Sequence, residues 1–173
     1  MDEVRILNRF LAVAGLSAVA AGLLGAPAQA ATPAAHGKEI RYCKTVVDGP
    51  KEASKVVSRT CSADKGAPAL AAAPAETVLI TFFEDAGYVG YYDSVYGKYG
   101  ACDSSGYGFS DLTGVQLGVN GISSYYYYNN CNVQRLYTDT YYGGTASGAL
   151  YGDRFYVGDT FNDNVWSMRV WHN

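Results

Sequence analysis

The chain has 173 residues and a formal net charge of −3, with 49% hydrophobic and only 17% charged residues. That length builds one ordinary domain rather than two large ones. Low charge combined with 20 Gly and 16 Tyr excludes a disordered polyelectrolyte, a coiled coil and a charged helical bundle, and it gives no support for nucleic-acid binding.

Residues 1–30 read as a signal peptide. Arg5 and Arg9 precede an apolar run from Phe10 to Leu24, and Ala28-Gln29-Ala30 closes it in the small-x-small pattern of a cleavage site. The run is too short to serve comfortably as a membrane anchor. The mature chain is therefore expected to be secreted and to have no membrane contact.

Residues 31–76 read as an Ala/Pro-rich extension around a basic stretch. Residues 31–75 carry seven Lys and Arg against four Asp and Glu, whereas residues 76–173 carry four against ten. Ile40-Arg41-Tyr42 and Val46-Val47 suggest two short strands, too few to bury a core alone. The segment either docks on the acidic part through its opposite charge or stays a mobile arm; a partly ordered extension is expected. Four cysteines in an exported chain point to disulfides. Of the three connectivities, Cys43–Cys61 with Cys102–Cys131 keeps each bridge inside one compositional segment.

From Thr77 on, the pattern is all-β. Val78–Phe83 is a strand of branched and aromatic residues, and Gly then recurs every few positions, which breaks helices and separates short strands. Residues 77–173 contain a repeat, motif one over 78–128 and motif two over 132–173. Phe83, Tyr88 and Gly90 share the spacing of Tyr137, Tyr142 and Gly144: an aromatic, four residues, Tyr, one residue, Gly. Each copy ends in a polar run, Val119–Ser124 and Asn162–Ser167. Two copies too small to close a core separately should pair face to face. The run Tyr125–Tyr128 alternates on a strand, with two rings toward the core and two outward; Asn129-Asn130 and the Cys102 bridge are expected to fold over them.

These motifs resemble the βγ-crystallin family, and the chain is also similar to small secreted bacterial crystallin-fold proteins grouped with metalloproteinase inhibitors and killer toxins. The resemblance implies a two-motif Greek-key β-sandwich of two four-stranded sheets. In calcium-binding members the closing runs form two crossed sites. Carried over, one site comprises the Ser123 hydroxyl, the Glu84 carbonyl, the side chain of Asn162 or Asp163, and the Asn164 carbonyl. Such all-oxygen ligands suit Ca²⁺. The second site is degenerate. Asn120, the Gly121 carbonyl and the Thr138 carbonyl remain, but Val119 and Trp166 stand where ligands belong, and the Trp166 ring is expected to fill space between the sheets. One Ca²⁺ per chain is expected. The alternative for both runs is ordinary turn capping by Asn, Asp and Ser.

Catalysis has little footing. His36 and His172 lie near predicted or actual ends, no nucleophile elbow or metalloprotease helix occurs, and Glu84 and Asp85 are adjacent and point apart. Two non-enzymatic functions fit. One is a secreted calcium-binding module of structural or stress role. The other is an inhibitor of a peptidase, or a toxin acting on a cell wall, through an exposed Lys98–Gly106 loop tethered by Cys102.

Overall fold

A computed structural model describes residues 42–49, 53–115 and 121–173, all within one compact unit spanning 36–173. The expected signal peptide, Ile40, Arg41, Val119 and Asn120 lie outside the described residues. Among the described residues, nine strands form two sheets: β1 (Tyr42–Asp48), β2 (Lys55–Ser62), β3 (Thr77–Asp85), β4 (Val89–Gly97), β5 (Tyr107–Phe109), β6 (Ser124–Tyr127), β7 (Val133–Tyr137), β8 (Leu150–Tyr151) and β9 (Ser167–Trp171). The first sheet has the order β2-β1-β4-β3-β6 and the second β5-β9-β7-β8.

Motif one supplies β3, β4, β5 and β6; motif two supplies β7, β8 and β9. The motifs exchange a strand. β5 leaves motif one to pair antiparallel with β9, and Arg154 of motif two returns to bridge Tyr125 of β6. The Arg154 bridge is reciprocal, with both backbone bonds at 3.0 Å. Each motif thus surrenders its third strand to the other's sheet, which is the Greek-key sandwich that the resemblance implies.

Alternation aims the apolar residues inward. Ile80 and Phe82 of β3, Val95 of β4, Tyr125 of β6, Leu136 of β7, and Met168 and Val170 of β9 are almost wholly buried and share one core. Burying one such side chain stabilises by about 1.5–3 kcal/mol. The tyrosine run behaves as alternation requires. Tyr125 is fully buried, Tyr127 packs on the core edge, and Tyr126 stacks outside on Tyr88 with ring centroids 3.8 Å apart. Asn129 folds back, its amide donating to the Val78 carbonyl at 2.8 Å.

The extension departs from the expected pair of short strands. Tyr42 and Val46-Val47 belong to a single strand, β1, and the second strand is β2. Lys44 and Thr45 do not interrupt β1, and Gly49, with φ at +111°, supports the departure from it. β1 pairs in parallel with β4, from Tyr42 opposite Tyr92 to Val47 opposite Gly97, so it covers what would otherwise be an open edge. The four-stranded first sheet of the expectation becomes a five-stranded one, and its own fourth position shrinks to the Arg154 bridge.

Both expected disulfides are present. Cys43–Cys61 joins directly opposed residues of β1 and β2, and Cys102–Cys131 ties the loop before β5 to the chain entering β7. Opposite charges also fasten the extension. Arg59 Nε donates to Asp93 Oδ2 at 2.8 Å, and Lys98 pairs with Asp48 at 2.9 Å. Lys44 reaches Glu76 at 2.6 Å while its ammonium lies 5.5 Å from the Tyr96 ring centroid. At the hairpin's far end, Ser54 N–H donates to the Gly108 carbonyl at 3.0 Å, so β2's approach also caps the edge of β5 in the second sheet.

Candidate functional site

The two hairpins that carry the repeat are built alike. Phe83 meets Tyr88 edge-on at 5.8 Å, and Tyr137 meets Tyr142 edge-on at 5.4 Å. Tyr88 and Tyr142 both sit in the left-handed region at φ 63°. Each is followed two residues on by a Gly with positive φ, 84° at Gly90 and 70° at Gly144. A Cβ on Gly90 would lie 2.6 Å from an Asp85 carboxylate oxygen, and one on Gly144 2.5 Å from the Thr138 hydroxyl. Conformation and space both select glycine there.

Two hydroxyls fasten these hairpins in matching fashion. Ser124 Oγ donates to the Asp85 carbonyl at 2.7 Å and accepts from Tyr88 N–H at 3.0 Å. Ser167 Oγ donates to the Asp139 carbonyl at 2.6 Å and accepts from Tyr142 N–H at 2.9 Å. Both serines end their polar runs in the sequence, yet sequence reasoning assigned them no role. The signal that could have found them is their shared place as the last residue of each closing polar run.

The first candidate site forms where the two closing runs cross. Ser123 N–H donates to the Phe83 carbonyl at 2.9 Å, which places Ser123 beside Glu84 at the hairpin entrance. The Asp163 N–H donates to the Ile122 carbonyl at 3.2 Å, drawing motif two onto motif one. Ser123 Oγ then donates to Asp163 Oδ1 at 3.4 Å. Asn162 sits behind: its amide donates to Asp163 Oδ2 at 2.7 Å, so Asp163 rather than Asn162 faces Ser123. Gly121, at φ +71°, permits the crossing, since a Cβ there would stand 2.8 Å from Asp163 Cα.

Glu84 itself is buried, and its Oε2 accepts from Tyr91 N–H at 3.4 Å. Asn164 is exposed, with its side-chain oxygen accepting from the Trp166 indole N–H at 2.9 Å. The donors that the structure brings together here are the Asp163 carboxylate and the Ser123 hydroxyl. Both are hard oxygens, which fit Ca²⁺ better than a transition metal. Among the described residues, no group of three or more His, Cys, Asp or Glu gathers as a metal cluster.

The second site mirrors the first in backbone only. Trp166 N–H donates to the Tyr137 carbonyl at 3.0 Å, the counterpart of Ser123 on Phe83. The position that carries a hydroxyl in motif one therefore carries an indole in motif two. Thr138 binds Thr145 through both its N–H and its hydroxyl, at 3.0 and 2.8 Å, and so closes the hairpin. The expectation that the Trp166 ring fills space between the sheets is corrected: the residue is partly buried but outside the core cluster, and its ring N–H is held at the surface by Asn164. Its flanking neighbours Val165 and Ser167 are buried instead, because alternation turns position 166 outward.

The Lys98–Gly106 loop is tightly held. Cys102 is buried in its disulfide, the Tyr107 hydroxyl donates to the Gly100 carbonyl at 2.7 Å, and Asp103 Oδ1 accepts from Ser105 and Gly106 N–H groups at 3.0 and 3.1 Å. Tyr99 stands 52% exposed at its tip.

Paired aromatic hairpins, paired serine pins and the exchanged strands define a βγ-crystallin-like two-motif domain. Among solved structures, the chain is similar to a βγ-crystallin domain from Flavobacterium johnsoniae, with 28% identity, coverage of 55% of this chain and 96% of that one, and a TM-score of 0.39. It is also similar to a βγ-crystallin domain from Clostridium beijerinckii, at 19% identity, 54% and 97% coverage and a TM-score of 0.41. A nickel-bound double mutant of clostrillin aligns at 18% identity, 55% and 99% coverage and a TM-score of 0.42. No protein-family model matches the chain, and no curated protein matches it.

Proposed function

We propose that the chain is a secreted, non-enzymatic βγ-crystallin-like module that binds one Ca²⁺ and serves a structural or stress role. The observation that carries this reading is the 3.4 Å approach of the Ser123 hydroxyl to the Asp163 carboxylate, made by residues from different motifs. The carbonyls of Glu84 and Asn164 complete the proposed ligand set, and Asn162 steadies Asp163 from behind. One carboxylate supplies little charge, so the affinity belongs with extracellular modules, at a Kd of about 0.1–1 mM. The degenerate set of Asn120, Gly121 and Thr138 takes no ion in this reading, since the indole of Trp166 offers no oxygen. Two disulfides support a location outside the cell, where such bonds persist. No helix among the described residues is long and apolar enough to cross a membrane.

Thermal unfolding with and without millimolar Ca²⁺ tests the proposal. At a hundredfold excess over Kd the ion adds about 2.7 kcal/mol of stability. A chelator should reverse the gain, and Mg²⁺ should reproduce little of it. A second reading, inhibition of a metallopeptidase or attack on a cell wall, is supported by the tethered Lys98–Gly106 loop and its exposed Tyr99. A peptidase panel separates the two readings.

A further inference from the structure

The outer face of the second sheet carries a feature that the calcium reading does not use. Arg135 on β7 stands directly opposite Arg169 on β9. Like charges in directly opposed positions destabilise a sheet. Residues 76–173 hold ten carboxylates and only four basic residues, yet two of those four stand opposite each other here. Among the described residues, no carboxylate forms an ion pair with either guanidinium.

The surroundings are those of a binding site. Ser104, Arg135, Tyr137, Arg169 and Trp171 line a depression of about 200 Å³. Tyr137 follows Arg135 on the same face of β7, and Trp171 follows Arg169 on the same face of β9. On the far side of Arg169 its cross-strand partner is Gly108, which adds no side chain to fill the space. Two planar forks of N–H donors side by side match the oxygens of a carboxylate or phosphate. Trp171, partly exposed, offers a flat face to the apolar side of a small ring, while Tyr137, buried and meeting Tyr142 edge-on, forms the floor.

We propose that this depression is an oxyanion site, seating the carboxylate or phosphate of a monosaccharide-sized ligand between Arg135 and Arg169, with Trp171 against the ligand's body. The anion supplies the countercharge that the fold withholds from the two arginines.

Titration of the full mature protein with inorganic phosphate, glucuronate and neutral glucose at fixed ionic strength tests this. The readouts are the amide resonances of Arg135, Arg169 and Trp171, together with Tm. Phosphate or glucuronate should bind saturably and glucose should not. Arg135→Gln and Arg169→Gln should each weaken binding at least tenfold, as loss of a charge-assisted bond requires. Tighter binding of glucuronate assigns the oxyanion to a sugar acid, and tighter binding of phosphate assigns it to a phosphoryl group. Without ligand, either substitution should leave Tm unchanged or raise it, because it relieves repulsion. Three results would overturn the proposal: no saturation by either anion up to about 10 mM, the same shifts in the double variant, or a lower ligand-free Tm on substitution, which would mean that the pair is structural.

Discussion

Asp93 offers a quantitative test of how the extension is held. It is fully buried, and its Oδ2 accepts from the Thr45 hydroxyl at 2.9 Å and from Arg59 Nε at 2.8 Å. Burial pushes its carboxyl up to about 6 from an ordinary 3.8, against the opposing pull of Arg59 and Thr45. Between about pH 4 and 6, the native state therefore keeps a proton that the unfolded chain has released. This contribution is fully present below pH 4 and is lost as pH rises through 6. The difference of about two units corresponds to about 3 kcal/mol. Asp93→Asn cannot ionise and removes this slope. Urea unfolding of both proteins from pH 4 to 8 at constant ionic strength should show the variant gaining about 3 kcal/mol relative to wild type as pH rises. Parallel profiles, or wild type gaining on the variant with rising pH, would refute the reasoning by showing that Arg59 outweighs desolvation.

The serine pins make a paired prediction. Ser124→Ala and Ser167→Ala each strand a hairpin N–H and carbonyl, and each should lower stability by about 1–3 kcal/mol in denaturant titration. Removing the Cys102–Cys131 bridge, which spans 29 positions, should cost about 3–4 kcal/mol on chain-entropy grounds and loosen the Lys98–Gly106 loop in hydrogen exchange. Trp166→Ala should leave any Ca²⁺-dependent shift in Tm intact, whereas Ser123→Ala should remove most of it. The double change Val119→Asp with Trp166→Ser should add a second binding event in calorimetry.

The parts of the fold that were legible in the sequence are those that repeat. The spacing from Phe83 to Gly90 and from Tyr137 to Gly144 exposed both hairpins, because aromatic cover and positive φ are local demands that a few residues must meet. Cysteine count and compositional segmentation were enough to favour the disulfide pairing. The parallel docking of β1 on β4 was not legible, since nothing in Tyr42–Asp48 says which distant strand it joins, and a non-local parallel register leaves no local pattern. The roles of Ser124 and Ser167 were missed for the same reason: each bonds a hairpin 36 or 25 residues away. The Trp166 ring was expected inside because indole is apolar, whereas strand alternation and the nearby Asn164 oxygen place it at the surface. Arg135 and Arg169 showed in the sequence only as two of few basic residues. Their opposition across β7 and β9 depends on a register that pairing alone reveals.

Isothermal titration of the mature protein with CaCl₂ is the most direct test of the central claim. The account predicts one ion per chain with a Kd of about 0.1–1 mM, abolished by Ser123→Ala and by Asp163→Ala. No binding heat at millimolar Ca²⁺, or two equivalent sites in the wild-type chain, would contradict it.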